Sequence, residues 1–153
     1  MKAPHDPRSS SDASTVQTPE QRRGTDALRA VQALETDEAL RKRYRAYADR
    51  IGPSILMNGL GQALATERAA AGSNPRRADE RAHDRLYRNL EGWLCGAGGV
   101  YETSSGQNRD LLKAIVQRGE ADYLRAQAEA LAWLVWHKKF CCAYLPAAED
   151  EES

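Results

Sequence analysis

Residues 44–66 read Y-R-A-Y-A-D-R-I-G-P-S-I-L-M-N-G-L-G-Q-A-L-A-T. The stretch predicts the end of one helix, a break at Gly52-Pro53, and a second helix that carries Gly59 and Gly61 near its middle. Glycine stops a helix readily, and proline suits the first turn of the next one. A glycine inside a helix costs about 1 kcal/mol relative to alanine, because its backbone has more freedom to lose. Two of them, two residues apart, call for an offset: a close backbone approach, a kink, or a ligand lying on the helix.

Outward from this stretch the chain stays helix-forming. It has 153 residues with a single Phe, and Val and Ile are sparse beside Ala, Leu, Arg and Glu. That length and composition suit one helical domain with a core. On the N-terminal side, Thr18-Pro19-Glu20-Gln21 is a helix start with a hydroxyl cap, Pro at the first position and Gln at the third. The first helix runs to about Leu34, with Ala27, Leu28, Val31 and Leu34 as its apolar stripe. Thr36 caps a second helix, whose Leu40, Tyr44, Tyr47 and Ile51 share a face while Arg41, Lys42, Arg43 and Arg45 fall mostly off it.

On the C-terminal side, the helix from Pro53 to about Ala71 buries Leu56, Leu60, Ala63 and Leu64, and sets Asn58 and Gln62 side by side, four residues apart. Gly72-Ser73-Asn74-Pro75 is a loop. A helix over 78–95 buries Ala82, Leu86, Leu90, Trp93 and Leu94 and displays Arg77, Arg81, Arg85 and Arg88. Residues 96–107 read as a flexible connection, and Asn108 as the cap of a short helix ended by Gly119. The final helix spans about 120–144 and is small or apolar almost all round from Ala126 to Val135, as expected of the central helix of a bundle. No strand pattern and no fixed-period repeat is present. The expected fold is an all-α, single-domain bundle of about six helices over residues 18–145. A disordered tail is expected over 1–17 and an acidic one over 146–153.

Basic and acidic side chains balance at 22 each. Four of the acidic ones are Glu149, Asp150, Glu151 and Glu152, so the remainder of the chain carries 18 against 22 basic groups. A modest basic surface of this kind meets nucleic acid or is simply solvated. The cysteines Cys95, Cys141 and Cys142 are odd in number and lack C-x-x-C spacing, which suits reduced packing thiols and a cytoplasmic setting. No signal-like segment or membrane-length apolar run is found.

Little in the sequence suggests chemistry. His5, His83 and His137 lie far apart and show no metal-ligand spacing, and His137 beside two lysines reads as a boundary residue of the last helix. Gly59-Leu60-Gly61 has Leu64 at the third glycine position of a dinucleotide loop and no preceding strand. Gly96-Ala97-Gly98-Gly99 lacks the lysine and hydroxyl of a phosphate loop. Glu129, inside the apolar helix, is expected to pair with an arginine across the bundle. No catalytic residue, metal or cofactor is predicted.

N-G-L-G-Q-A-L-A at Asn58–Ala65, preceded by Y-R-A-Y at Tyr44–Tyr47, resembles the signature of the small helical subunit of type III-B CRISPR effector (Cmr) complexes. Tyr123, E-A-L at Glu129–Leu131 and W-H-K-K-F at Trp136–Phe140 are similar to that family's closing pattern, with His137 where leucine is usual, Lys139 where arginine is common and Gln127 where threonine is frequent. The resemblance spans roughly 18–143. It implies a non-catalytic subunit of an antiviral ribonucleoprotein that stacks with copies of itself beside the backbone subunits. There it helps hold the guide RNA paired to its target RNA. An A-form duplex held by its backbone requires a positive, sequence-blind surface. Arg41, Arg45, Lys138 and Lys139 are the candidates for RNA contact, and Asn58 and Gln62 for contact with RNA or a neighbouring subunit. A helical adaptor that binds protein and not RNA is the rival reading. A helix-turn-helix regulator fits less well, because the turn follows the basic helix.

Overall fold

The computed structural model describes residues 15–103 and 109–148. The acidic run 149–152, Asn108 and most of the N-terminal tail therefore lie outside the described residues. Within them the chain forms α1 (Pro19–Gln32), α2 (Glu38–Asn58), α3 (Leu60–Ala71), α4 (Ala78–Cys95), α5 (Leu111–Gln117) and α6 (Glu120–Tyr144), with no strand.

The start of α1 follows its sequence signature. The Thr18 hydroxyl accepts from the Gln21 N–H at 3.1 Å, and the Gln21 side chain accepts from the Thr18 N–H at 2.9 Å. Two helix-terminal donors are thereby satisfied reciprocally. At α2 the cap is Asp37 rather than Thr36, its carboxylate accepting from the Ala39 N–H at 3.0 Å.

The break in the opening stretch falls elsewhere than Gly52-Pro53. Helix α2 continues through both residues, and the chain turns at Gly59, whose φ of 85° and ψ of 159° are open essentially to glycine alone. Proline forfeits one backbone bond inside a helix. Pro53 and Asp49, whose carbonyl the missing N–H would have met, both stand on the exposed side, while Ile51 and Ile55 hold the other side in the core. Moving the break by six residues changes which side chains are buried. Leu56 is 72% exposed and Ile55 takes its expected place. Asn58 ends α2 and Gln62 lies in the first turn of α3, so the two are not neighbours on a single helix.

Helix α6 packs against α1 on one side and α2 on the other, and α4 closes the bundle by packing on α2 and α3. Trp133 is its largest fully buried side chain. Helix α1 is clasped onto α6 by three side-chain pairs. Trp133 Nε1 donates to Asp26 (2.9 Å), Trp136 Nε1 to Glu20 (3.1 Å), and Arg23 grips Glu129 with two nitrogens (2.6 and 3.1 Å). The last of these is the ion pair expected of Glu129. Close approach is possible because a Cβ at Gly24 would already stand 3.3 Å from the Trp136 ring.

His137 is a core residue and not a boundary one, with no exposed surface. Its Nδ1 faces the Ala27 carbonyl at 3.1 Å, which requires the proton there. Nε2 is then the acceptor for the Tyr44 hydroxyl at 2.5 Å, and that hydroxyl accepts in turn from Asn89 Nδ2 at 2.8 Å. The relay joins α1, α6, α2 and α4. Burial pushes the imidazole down to a pKa of about 4, so it is neutral.

Residues 96–103 differ from the flexible connection expected of them. The Tyr101 N–H bonds the Leu94 carbonyl (2.8 Å), the Thr103 N–H bonds that of Cys95 (3.3 Å), and Tyr101 is buried. Glycine at 99 is required, since a Cβ would fall 2.5 Å from the Leu94 carbonyl oxygen. Helix α5 is then docked by α4 side chains, its Leu111 N–H donating to Glu91 (3.2 Å) and its Leu112 N–H to the Tyr87 hydroxyl (3.3 Å). The α5 cap is Asp110, bonded to the Lys113 N–H at 3.1 Å.

Candidate nucleic-acid interface

Helix α2 carries the densest run of cations, and its packing divides them into two sets. Leu40, Tyr44, Tyr47, Ala48, Ile51 and Ile55 face the core. Arg41 and Arg45 lie on the flank near the C-terminal half of α6. There the Arg45 Nη1 donates to the Leu145 carbonyl at 2.9 Å, and Arg41 Nε is enclosed without a hydrogen-bond partner. Lys138 Nζ crosses from α6 to Asp49 at 3.2 Å, with both side chains more than half exposed. Lys139 is exposed. Arg45 and Lys138 thus stand along the α2–α6 seam, each engaging an acceptor of the same chain, and Lys139 follows on the exposed surface of α6.

A guanidinium has five N–H donors, so one bond to a carbonyl leaves Arg45 able to contact phosphate as well. An exposed ion pair such as Lys138–Asp49 contributes little to stability and is readily exchanged.

The second set was hidden from the sequence reading. Lys42, Arg43 and Arg50, with Ala39, Ala46 and Tyr47, line a shallow groove on the outer face of α2, and Ala148 closes it from the C-terminal side. Tyr47 forms its floor, stacked on His83 with ring centroids 3.8 Å apart, while Arg50 lies over the same tyrosine at 5.1 Å. Lys42 is 3.4 Å from Glu38. Spacings of three, four and seven along α2 were the available signal, obscured because Arg41 and Arg45 interleave with them.

A further cavity lies between α1, α6 and the turn after α4, lined by Arg22, Arg23, Trp93, Gly98, Arg125 and Glu129 among others. Its carboxylate is already committed. The Arg23 guanidinium beside Glu129 holds the carboxyl below the usual range, and Trp93 Nε1 donates to it at 3.3 Å.

Asn58 and Gln62 are both exposed at the opposite end of α2. Between them the glycines meet the chain's own last helix. The Gly61 N–H donates to the Tyr123 hydroxyl (3.2 Å) and the Leu60 N–H to Gln127 Oε1 (3.0 Å), so α6 caps the start of α3. A Cβ at Gly59 would stand 2.9 Å from the Tyr123 oxygen, and one at Gly61 would stand 3.2 Å from Ile115 Cγ2. The glycine pair therefore serves internal packing.

The family model for the CRISPR-associated protein Cas_Cmr5 matches residues 19–144, from the first residue of α1 to the last of α6. The chain belongs to that family. It is accordingly a small CRISPR-associated subunit of the Cmr type, of type III-B complexes, and its fold is all-α in a single domain. Family membership brings association with other Cmr subunits. Nothing among the described residues gathers three or more His, Cys, Asp or Glu side chains around a common point, and no described helix is long and apolar enough to cross a membrane. The buried thiols of Cys95 and Cys141 are pushed up to about 11 and about 12, away from thiolate reactivity.

Proposed function

We propose that this Cmr-type subunit acts without catalysis of its own, stacking beside the backbone subunits and helping to hold the guide–target RNA duplex in the cytoplasm. The reading is supported by the α2–α6 seam, where Arg45 and Lys138 stand, with Arg41 one turn before Arg45 and Lys139 next in sequence to Lys138, in a chain that belongs to the Cas_Cmr5 family. Cations of this kind contact phosphates without reading bases, which is what an RNA-guided assembly asks of its protein walls. In this reading the four residues touch the RNA backbone.

Asn58 and Gln62 belong to a contact with a neighbouring subunit. Supporting that choice over RNA are Leu56 and Met57, which are 72% and 84% exposed immediately before Asn58. Val116 and Leu124 are also exposed, each next in sequence to a residue that touches the glycine pair. Exposed apolar side chains grouped this way favour a protein partner.

Co-purification tests the assembly. The tagged chain is expected to retain the Cmr backbone subunit and guide RNA, and replacing Leu56 and Met57 by Ser is expected to weaken that retention. Failure of the unaltered chain to join the complex would overturn the proposal.

A further inference from the structure

The cavity between α1, α6 and the turn after α4 combines a fixed aromatic ring with arginines that lack a strong acidic partner. We infer that it binds a nucleotide, with the base laid against Trp93 and the phosphate held between Arg22 and Arg125.

The size fits. The cavity encloses about 370 Å³, at the small end of the roughly 300–1,000 Å³ of small-molecule sites. Ala97, Gly98, Arg22 and Arg125, all part of its lining, are exposed, so a ligand reaches it from solvent.

The apolar part suits a flat ring. Trp93 Nε1 donates to Glu129 Oε2 at 3.3 Å, and that carboxylate is held in turn by two Arg23 nitrogens at 2.6 and 3.1 Å. An indole locked in this way loses little freedom when a base stacks on it. Another wall is the turn over residues 96–99, where Ala97 contributes the one methyl group. Gly98 stands there at a φ of 77°, and a Cβ at Gly99 has no room. Bare backbone of this kind lets a ligand come close.

The polar part has cations to spare. Arg23 is neutralised by Glu129 at 2.6 Å and by Glu20 at 3.0 Å. Arg22 makes no side-chain hydrogen bond or ion pair among the described residues. Arg125 reaches Asp122 at 3.4 Å, and that carboxylate is already taken by Arg118 at 3.0 Å. Arg22 belongs to α1 and Arg125 to α6, so two guanidinium forks enter the cavity from different helices. Each fork matches the oxygens of a phosphate. A nucleotide presents the complement, a flat base joined through a sugar to an anion. The site is separate from the cations of the α2–α6 seam, since Lys139 lies ten residues beyond Glu129, about 15 Å along the helix.

Free nucleotides and unpaired residues of an RNA strand share this chemistry, and the test separates them. It uses the full-length chain and follows the NMR signals of the indole N–H groups. Millimolar GMP is expected to shift the Trp93 signal and to leave that of Trp133, which is buried and bonded to Asp26, unmoved. Guanosine and inorganic phosphate each lack half of the ligand and should bind about ten-fold more weakly. Replacing the exposed Arg22 and Arg125 by Ala should lower GMP affinity to that of guanosine without moving the thermal midpoint.

A short single-stranded RNA of mixed sequence forms the second arm. A Trp93 shift with this RNA and not with GMP would assign the cavity to an unpaired residue of a strand, and a shift with GMP to the free nucleotide. Either supports the inference, and the GMP result stands whether or not the α2–α6 cations touch RNA. A Trp93 signal unmoved by both ligands would overturn it. So would inorganic phosphate binding as tightly as GMP, or GMP affinity unchanged by loss of the two arginines.

Discussion

His137 shows how one buried polar side chain sets a pH limit on this fold. Its folded pKa is about 4, against about 6.5 for an unfolded histidine. Above the unfolded value both states are neutral and the full stability is present. As pH falls from about 6.5 towards 4 the unfolded chain takes the proton first, and about 3 kcal/mol is lost. Urea midpoints of the wild type should fall over this window, and those of His137→Leu should fall much less. Equal acid sensitivity in the two would place the titrating group elsewhere. At Gly59 the prediction concerns strain. Gly59→Ala should destabilise by about 2 kcal/mol through its backbone region and by more through the Tyr123 hydroxyl, 2.9 Å from the new Cβ. Tyr123→Phe, which removes both the hydroxyl and the bond it accepts from Gly61, should therefore cost less in the Gly59→Ala background than alone. Additive urea-denaturation energies would contradict this coupling.

At the scale of elements, Pro53 lies inside α2 on its exposed side. Pro53→Ala restores an N–H to the helix and should stabilise the protein by about 1 kcal/mol, the gained bond outweighing the added freedom of the unfolded chain. A lower thermal midpoint would mean that the proline is needed. The same helix marks the boundary of what the sequence made legible. Helix number, the cap at Thr18, the apolar α6 and the Glu129–arginine pair all follow from periodicity and local chemistry, whereas α2 is capped by Asp37 where Thr36 was expected and α5 by Asp110 where Asn108 was expected. The position of the break did not follow either. Gly52-Pro53 has stronger local signals for ending a helix, yet the burial of both Ile51 and Ile55 keeps the helix running past it. Gly59 was instead selected by Tyr123 and Gln127, more than 60 residues away. The core position of His137 was illegible for the same reason, since its partners Tyr44 and Ala27 are remote in sequence. Of the candidate site, the individual cations were readable. Their division into an α2–α6 edge and a separate groove was not, because it depends on where Leu145 and Ala148 run.

For the whole molecule the claim is that a basic, sequence-blind surface serves an RNA-guided complex. Near-zero net charge conceals this surface, since four acidic residues beyond Ala148 offset it. The most direct test is the affinity of the reconstituted Cmr complex for target RNA, measured against salt concentration, with the native subunit and with Lys138→Ala/Lys139→Ala. Loss of two phosphate contacts should weaken binding by a similar factor for unrelated guide sequences and flatten the log–log salt dependence by about one unit per contact. Unchanged affinity and slope in a complex of normal composition would show that these lysines hold no RNA.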